Sequence, residues 1–150
     1  MHDDLILKIA NLMHEQAAAY SRLDAAAAQL SSALVRGVPE TVESLAKAGE
    51  GELLKMRSRL LQITALLTAF AETRAQNAEK IQIGADARSN FETASKNLLE
   101  AAREYEKTSR RAKTLALAGA SFATVSIQMC GVPPSTYRAP ILRSFAETAR

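Results

Sequence analysis

Apolar and small residues recur in alternating steps of four and three along most of this chain. This spacing keeps one stripe of side chains on a single face of an α-helix. Over several heptads it is typical of helices that pack against one another as in a coiled coil. No proline occurs between Pro39 and Pro133, and glycine is sparse in that stretch. The pattern therefore predicts an all-α protein built from long helices.

The first predicted helix runs from Asp4 to about Arg36. Asp3 or Asp4 can cap its start with a carboxylate. Gly37 can end it, because glycine adopts the left-handed conformation that is common after a helix C-terminus. The stripe of this helix consists of Leu5, Ile9, Leu12, Gln16, Ala19, Leu23, Ala26, Leu30 and Ala33. Such a stripe predicts a packing face along the whole helix.

A second helical region follows Pro39, since proline suits the first position of a helix. Gly49 and Gly51 interrupt it, and each destabilises a helix by about 1 kcal/mol relative to alanine. We therefore expect residues 39–48 to form a separate short helix or a kinked first part. The main second helix is then expected over about residues 52–83.

A third helix is predicted over residues 87–129, after Gly84, which can end the second helix, and Asp86, which can cap the third. Three long helices joined by short turns predict an antiparallel, up-down-up bundle. We therefore expect one all-α domain over residues 1–150. The proline-marked residues 131–150 are expected to form a short C-terminal tail that can be flexible. The stripe of the third helix consists of Ala87, Phe91, Ala94, Leu98, Ala101, Tyr105, Thr108, Ala112, Leu115, Gly119, Phe122, Ser126 and Met129.

The end of the third helix is unusual because no charged residue occurs from Thr114 to Tyr137, although 23% of the chain is charged. Three interpretations stay open. A transmembrane helix needs about 20 predominantly apolar residues, and the hydroxyl and amide side chains here make the stretch too polar to span easily. The stretch can instead be a helix end buried in the bundle or in a dimer. It can also be a surface of small, weakly polar residues that receives a partner helix.

The antiparallel arrangement favours a partner surface, or at least self-association. The end of the third helix should lie beside residues 39–51, where glycines interrupt the apolar pattern, so little apolar cover remains for it. Apolar grooves that accept an amphipathic helix are a recurrent recognition mode, and small residues let another helix approach closely. The side chains expected to have little cover are Leu117, Phe122, Val125, Ile127 and Met129.

Motifs for catalysis and metal binding are absent from the sequence. His2 and His14 are its only histidines, and the single Cys130 excludes an internal disulfide and a cysteine-based zinc site. The chain contains no GxGxxG, P-loop, GxSxG or CxxC pattern. We therefore expect no enzyme, no cofactor and no metal site.

The charge of the chain is mild, with a formal net charge of +3. Positive and negative residues are interleaved, so we expect no nucleic-acid partner. A small basic cluster on the third helix could meet phosphate, an anionic membrane or an acidic partner, but nearby carboxylates favour a solvated surface; it consists of Lys107, Arg110, Arg111 and Lys113. The N-terminus is acidic where a secretory signal would be basic, and we expect an intracellular protein without stable membrane insertion.

Residues 12–70 also carry a series of short patterns that resemble those of a known family. They are Leu12-x-x-Glu15, Tyr20-x-x-Leu23, Leu30-x-x-Ala33-Leu34, a turn with Gly37, then Glu40, Leu45, Glu52-Leu53-Leu54 and Arg59-Leu60-Leu61. Together with the long third helix and the short proline-bearing tail, they resemble the FlgN-type flagellar export chaperones.

This resemblance implies a cytoplasmic helical bundle that binds the C-terminal helical segments of hook–filament junction proteins, also called hook-associated proteins. Such chaperones prevent premature assembly of these clients and deliver them to the export gate of the flagellar type III apparatus. Client contact is assigned in the family mainly to the C-terminal region, and some members contact the gate through a tail tyrosine. The implied partner-binding residues here are Leu115, Gly119, Phe122, Val125, Ile127 and Met129, with Tyr137 for the gate.

A structural role is the alternative to a chaperone. The same surface of the third helix would then join two copies of the chain, and the protein would be a self-associating coiled-coil module, such as a homodimer. A third and weaker hypothesis is a membrane-associated helical protein that uses residues 114–132.

Overall fold

The structure is a computed structural model that describes residues 2–76 and 82–129, and for Ile127 and Gln128 the backbone alone. These residues form three α-helices: α1 (His2–Arg36), α2 (Pro39–Gln76) and α3 (Ala85–Met129). Within the described ranges, only residues 37–38 and 82–84 lie outside a helix, which confirms the all-α prediction. None of the three helices, over the same ranges, has the length and apolar character needed to cross a bilayer.

The chain divides into two compact units, each built from parts of the helices. Of the described residues, the first unit comprises 2–22, 52–76 and 82–104, and the second comprises 23–51 and 105–129. The single domain expected over residues 1–150 stays a prediction. The tail over residues 131–150 and Cys130 lie outside the described residues.

The core of the first unit joins all three helices. Its buried residues are Ile9, Ala10 and Met13 of α1, Ile63 of α2 and Ala94 of α3. Partly buried apolar side chains surround them: Leu5, Leu12, Leu66, Leu67, Phe91 and Leu98. Toward the C-terminal end of α1 in this unit, its contacts in α2 shift toward the N-terminal end of α2, from Ile63 to Met56. The two helices are therefore antiparallel, as the sequence predicts.

A buried amide links α1 to α2 in the first unit. Gln16 is 1% exposed, and its Nε2 atom donates a hydrogen bond of 3.3 Å to the carbonyl oxygen of Met56. Its Oε1 atom accepts a hydrogen bond of 3.2 Å from Arg59, which also forms an ion pair of 3.3 Å with Glu15. Gln16 lies in the stripe of α1 and is buried in the packing face. The two hydrogen bonds satisfy both polar atoms of its side chain, as is usual for buried polar groups.

The turn between α1 and α2 has the hydrogen bonds of a Schellman motif. Gly37 adopts a φ angle of 68° and donates its N–H to the carbonyl of Leu34, while Val38 donates to the carbonyl of Ala33. The Val38 carbonyl then accepts the N–H of Val42, and this hydrogen bond closes the first turn of α2. The predicted end of the first helix at Gly37 and start of the second at Pro39 are confirmed.

The prediction of a separate short helix over residues 39–48 is wrong, because α2 is one helix from Pro39 to Gln76. Gly49 and Gly51 lie inside it with open space where a side chain would be. The cost of two glycines is only about 1 kcal/mol each, and Val42 and Leu45 anchor this part of the helix in the core of the second unit.

The expected helix caps are also wrong. Helix α1 begins at His2, so Asp3 and Asp4 lie in its first turn. The Oδ1 atom of Asp3 instead accepts the N–H of Gly84 at 3.0 Å, and the Gly84 carbonyl accepts the N–H of Arg88 at 3.1 Å. Gly84 is therefore the N-cap residue of α3, and Asp86 lies in the first turn. Residues 82–84 are not helical, whereas the second helix was expected to reach about Ile83.

The second unit has a smaller core than the first. Leu30 and Ala33 of α1, Val42 of α2 and Ala112 of α3 are buried together, with Leu34 and Leu45 packed against them. The start of α2 thus packs beside Ala112, two residues before the uncharged end of α3. The expected contact between residues 39–51 and that end stays a prediction.

Candidate partner-binding surface

The uncharged end of α3 exposes large apolar side chains. Leu117 is 51% exposed, Phe122 76%, Val125 53% and Met129 84%. Among residues 117–129, no side chain that the structure describes is buried. An exposed apolar surface of this kind is typical of an interaction site rather than of a solvated helix face.

Most of these residues share one face of α3. An α-helix turns by about 100° per residue, so positions seven apart are offset by only about 20°. We call the set Leu115, Ala118, Phe122, Val125 and Met129 the 115–129 face, since the set spans about 80° of the helix surface. Leu117 lies on a different side of α3, about 120° from the centre of this face.

A groove in the second unit begins on the same side of α3. It has a volume of about 510 Å³ and lies between α1 and α3. The α1 wall consists of Ala28, Ser31, Ser32 and Val35, and the α3 wall consists of Lys107, Thr108, Arg111 and Leu115. Leu115 belongs both to the groove and to the 115–129 face. The groove therefore leads onto the exposed apolar end of α3.

The groove lining combines apolar, hydroxyl and cationic groups. Val35 is exposed and Leu115 is half-buried, so apolar surface is open to a partner. The hydroxyl of the buried Ser31 donates to the Ala27 carbonyl at 3.0 Å and is thus satisfied within its own helix. Lys107 and Arg111 stand one turn apart on α3 and carry the only charges of the lining. The groove can therefore accept an amphipathic segment.

Arg110, the neighbour of Arg111 in sequence, lies on a different side of α3 from the groove. Arg110 forms an ion pair of 2.5 Å with Glu106, its partner one turn earlier. Both residues are exposed, and the helical turn places Arg110 about 100° away from Arg111. Within the described part of the chain, no group of three or more histidine, cysteine, aspartate or glutamate residues is arranged to hold a metal ion.

The residues predicted from sequence fall into three groups. Leu115, Phe122, Val125 and Met129 lie together on the 115–129 face. Gly119 lies beside this face, with no atom within 4 Å of the position that a side chain would take. The backbone of Ile127 belongs to α3, and the structure does not describe its side chain. Tyr137 lies outside the described residues.

The α1 wall of the groove was not predicted. Val35 belongs to the last turn of α1 and lies outside the stripe of that helix. It is 72% exposed, so the packing of the helices does not bury this apolar side chain. The feature of the sequence that could have indicated this wall is a valine outside the stripe, one turn after Ser31 and Ser32. Lys107 and Arg111 were assigned to a solvated cluster, because sequence spacing alone does not place them opposite α1.

Comparison with models of known protein families, with curated proteins and with solved structures finds no match to this chain.

Proposed function

We propose that this chain is an export chaperone of the FlgN type. It would bind the C-terminal helical segments of hook–filament junction proteins in the cytoplasm, prevent their premature assembly and deliver them to the flagellar export gate. The resemblance of residues 12–70 supports the choice of family. The exposure of Phe122, Val125 and Met129 on one face of an uncharged helix end is the observation that carries the proposal.

The proposed mechanism is capture of an amphipathic helix. The apolar side of the client helix would lie along the 115–129 face, with Leu115 at its inner end. Burial of apolar surface contributes about 25 cal/mol per Å², and the costs of ordering and association reduce the net affinity. Met129 suits such a surface because its unbranched side chain adapts to different contacts. While the client is bound, its assembly surface is covered.

Delivery to the export gate is the second step of this proposal. Tyr137 is the candidate gate contact, on the strength of the resemblance alone. No catalysis is involved, because the mechanism requires only binding and release.

Calorimetric titration with the C-terminal helical segment of a hook–filament junction protein tests the proposal. We expect saturable binding to the full-length chain and at least about tenfold weaker binding to Phe122→Asp, since a buried aromatic side chain contributes about 1.5–3 kcal/mol. Leu117→Asp is the matched control, because it places the same charge in the same helix away from the 115–129 face. It should bind as the wild type does.

Two results would contradict the proposal. Equal losses in Phe122→Asp and Leu117→Asp would show that the 115–129 face is not the site. A folded wild-type chain that ignores the segment but forms a dimer, and loses that dimer in Phe122→Asp, would establish the self-associating module instead.

A further inference from the structure

Helix α2 carries a face of apolar and small residues on the side opposite to its packed side. These residues recur in steps of four and three and are all exposed: Leu54, Ser58, Leu61, Ala65 and Thr68. We call this set the 54–68 face, and it spans about 80° of the helix surface. The buried Met56 and Ile63 lie on the other side of the helix. The packing of the first unit therefore leaves the 54–68 face uncovered.

The 54–68 face is weakly polar and exposes two large apolar side chains. Leu54 is 69% exposed and Leu61 is 65% exposed. No charged residue occurs over residues 60–71. The Thr68 hydroxyl donates to the Thr64 carbonyl at 3.0 Å, so it is satisfied within α2. Contiguous exposed apolar surface of this kind is typical of an interaction site.

The charges that border the 54–68 face have opposite signs at its two ends. Arg57 precedes the uncharged stretch and Glu72 follows it, and both side chains are exposed. Within the residues that the structure describes, neither of them forms an ion pair, whereas the neighbouring Arg59 is paired with Glu15. Arg74 lies about 160° around the helix from Glu72, so Glu72 is the charge on this side of α2.

A second copy of the chain in antiparallel orientation matches both the side-chain sizes and the charges of this face. When Leu61 lies opposite Ala65 of the other copy, a large side chain meets a small one, and the two-fold axis repeats the contact. The same register brings Glu72 of each copy within about one turn of Arg57 of the other, so two ion pairs form. A parallel arrangement would instead place like charges together, which is repulsive.

We propose that the 54–68 face is the interface of an antiparallel dimer of this chain. This goes beyond the proposed function, because it involves a different helix from the 115–129 face. The apolar part of the interface consists of two leucines from each copy, which is little compared with the surface that stable dimers bury. The dimer is therefore weak, and unfolding titrations of dilute protein report the monomer.

Sedimentation velocity of the full-length chain over a range of concentrations tests this inference. We expect the wild type to shift from monomer to dimer as the concentration rises. Leu61→Asp should raise the dissociation constant at least about tenfold, since it removes an apolar side chain from both halves of the interface. Leu99→Asp is the matched control, because Leu99 is a 52% exposed leucine of α3, and this variant should dimerise as the wild type does. Both replaced side chains are exposed, so both variants should keep the helical circular dichroism of the wild type.

Exchange of the two bordering charges tests the antiparallel orientation. Arg57→Glu alone, or Glu72→Arg alone, brings like charges together at both ends of the interface and should weaken the dimer by about threefold or more. The double variant re-forms both ion pairs with their partners exchanged and should restore the wild-type dissociation constant. Added salt should reduce these differences, because screening acts on exposed charges.

Four results would overturn the inference. They are a chain that stays monomeric at every concentration, equal dimerisation of Leu61→Asp and Leu99→Asp, and a double charge variant that dimerises no better than its single parents. The fourth is a dimer that is lost in Phe122→Asp and kept in Leu61→Asp, since that dimer would use the 115–129 face. Because no junction-protein segment is present in these experiments, their outcome is independent of the proposed function.

Discussion

At the scale of single residues, Gln16 is a buried polar side chain that joins α1 to α2. Its amide bridges the backbone of Met56 and the side chain of Arg59. A leucine at this position would leave Arg59, whose side chain is only 19% exposed, without that acceptor. Buried polar groups that lose a partner destabilise a protein by about 1–3 kcal/mol.

We therefore predict that Gln16→Leu lowers the free energy of unfolding by about 1–3 kcal/mol in urea titrations. Gln62→Leu, which changes an exposed glutamine of α2, serves as the control and should stay within about 0.5 kcal/mol of the wild type. A Gln16→Leu variant as stable as the control would show that apolar burial at this position compensates for the lost bridge.

The ion pair between Arg22 and Glu52 makes a pH-dependent contribution to stability. The two side chains lie 2.6 Å apart, and the hydrogen bond from Arg22 lowers the pKa of the Glu52 carboxyl below its ordinary value. A carboxyl whose pKa is lower in the folded state stabilises the fold above its unfolded-state pKa. That contribution is lost as the pH falls through the folded-state pKa.

We predict that Glu52→Gln destabilises the chain at neutral pH by about 0.2–1 kcal/mol, the range of exposed ion pairs. The difference from the wild type should shrink in acid, below the ordinary glutamate pKa of about 4.3. Urea titrations at several pH values measure it, with Glu72→Gln on an exposed part of α2 as control. A difference that is constant with pH would contradict the assignment.

At the scale of secondary-structure elements, helix spacing predicted all three helices because apolar periodicity is a local property of the sequence. The end of α1 at Gly37 was also predictable, since a φ angle of 68° favours glycine. The helix caps were predicted wrongly, and so was a separate short helix over residues 39–48. The packing of Val42 and Leu45 in the core outweighs the helix-destabilising effect of the two glycines. This packing depends on the fold of the chain rather than on local helix propensity.

The continuity of α2 gives a prediction at this scale. Gly51 lies within the helix with nothing within 4 Å of the position of a side chain, so alanine can be added without a clash. We expect Gly51→Ala to raise the free energy of unfolding by about 0.5–1 kcal/mol. Gly37→Ala should lower it by about 1–2 kcal/mol, because alanine is disfavoured in the left-handed conformation.

Thermal or urea unfolding of both variants measures these changes. A neutral or destabilising effect of Gly51→Ala would contradict a continuous helix over this part of α2 and would favour the separate short helix that the sequence suggested.

At the scale of the whole molecule, the candidate site was predictable only in part. The lack of charge from Thr114 onward identified the end of α3, and the helical spacing placed Phe122 and Met129 on one face. The groove was not predictable, because it depends on which residues of α1 stand opposite Lys107 and Arg111. Heptad patterns allow several alignments of two helices, and the contacts of the second unit select one of them.

The central claim is that the 115–129 face of α3 binds a partner helix. Amide hydrogen exchange of the full-length chain, with and without the junction-protein segment, tests it most directly, because exchange reports local stabilisation along each helix. We predict slower exchange over residues 107–129 on binding, and no comparable change over residues 82–98. Unchanged exchange over residues 107–129 under saturating segment, or slowing confined to the first unit, would contradict the claim.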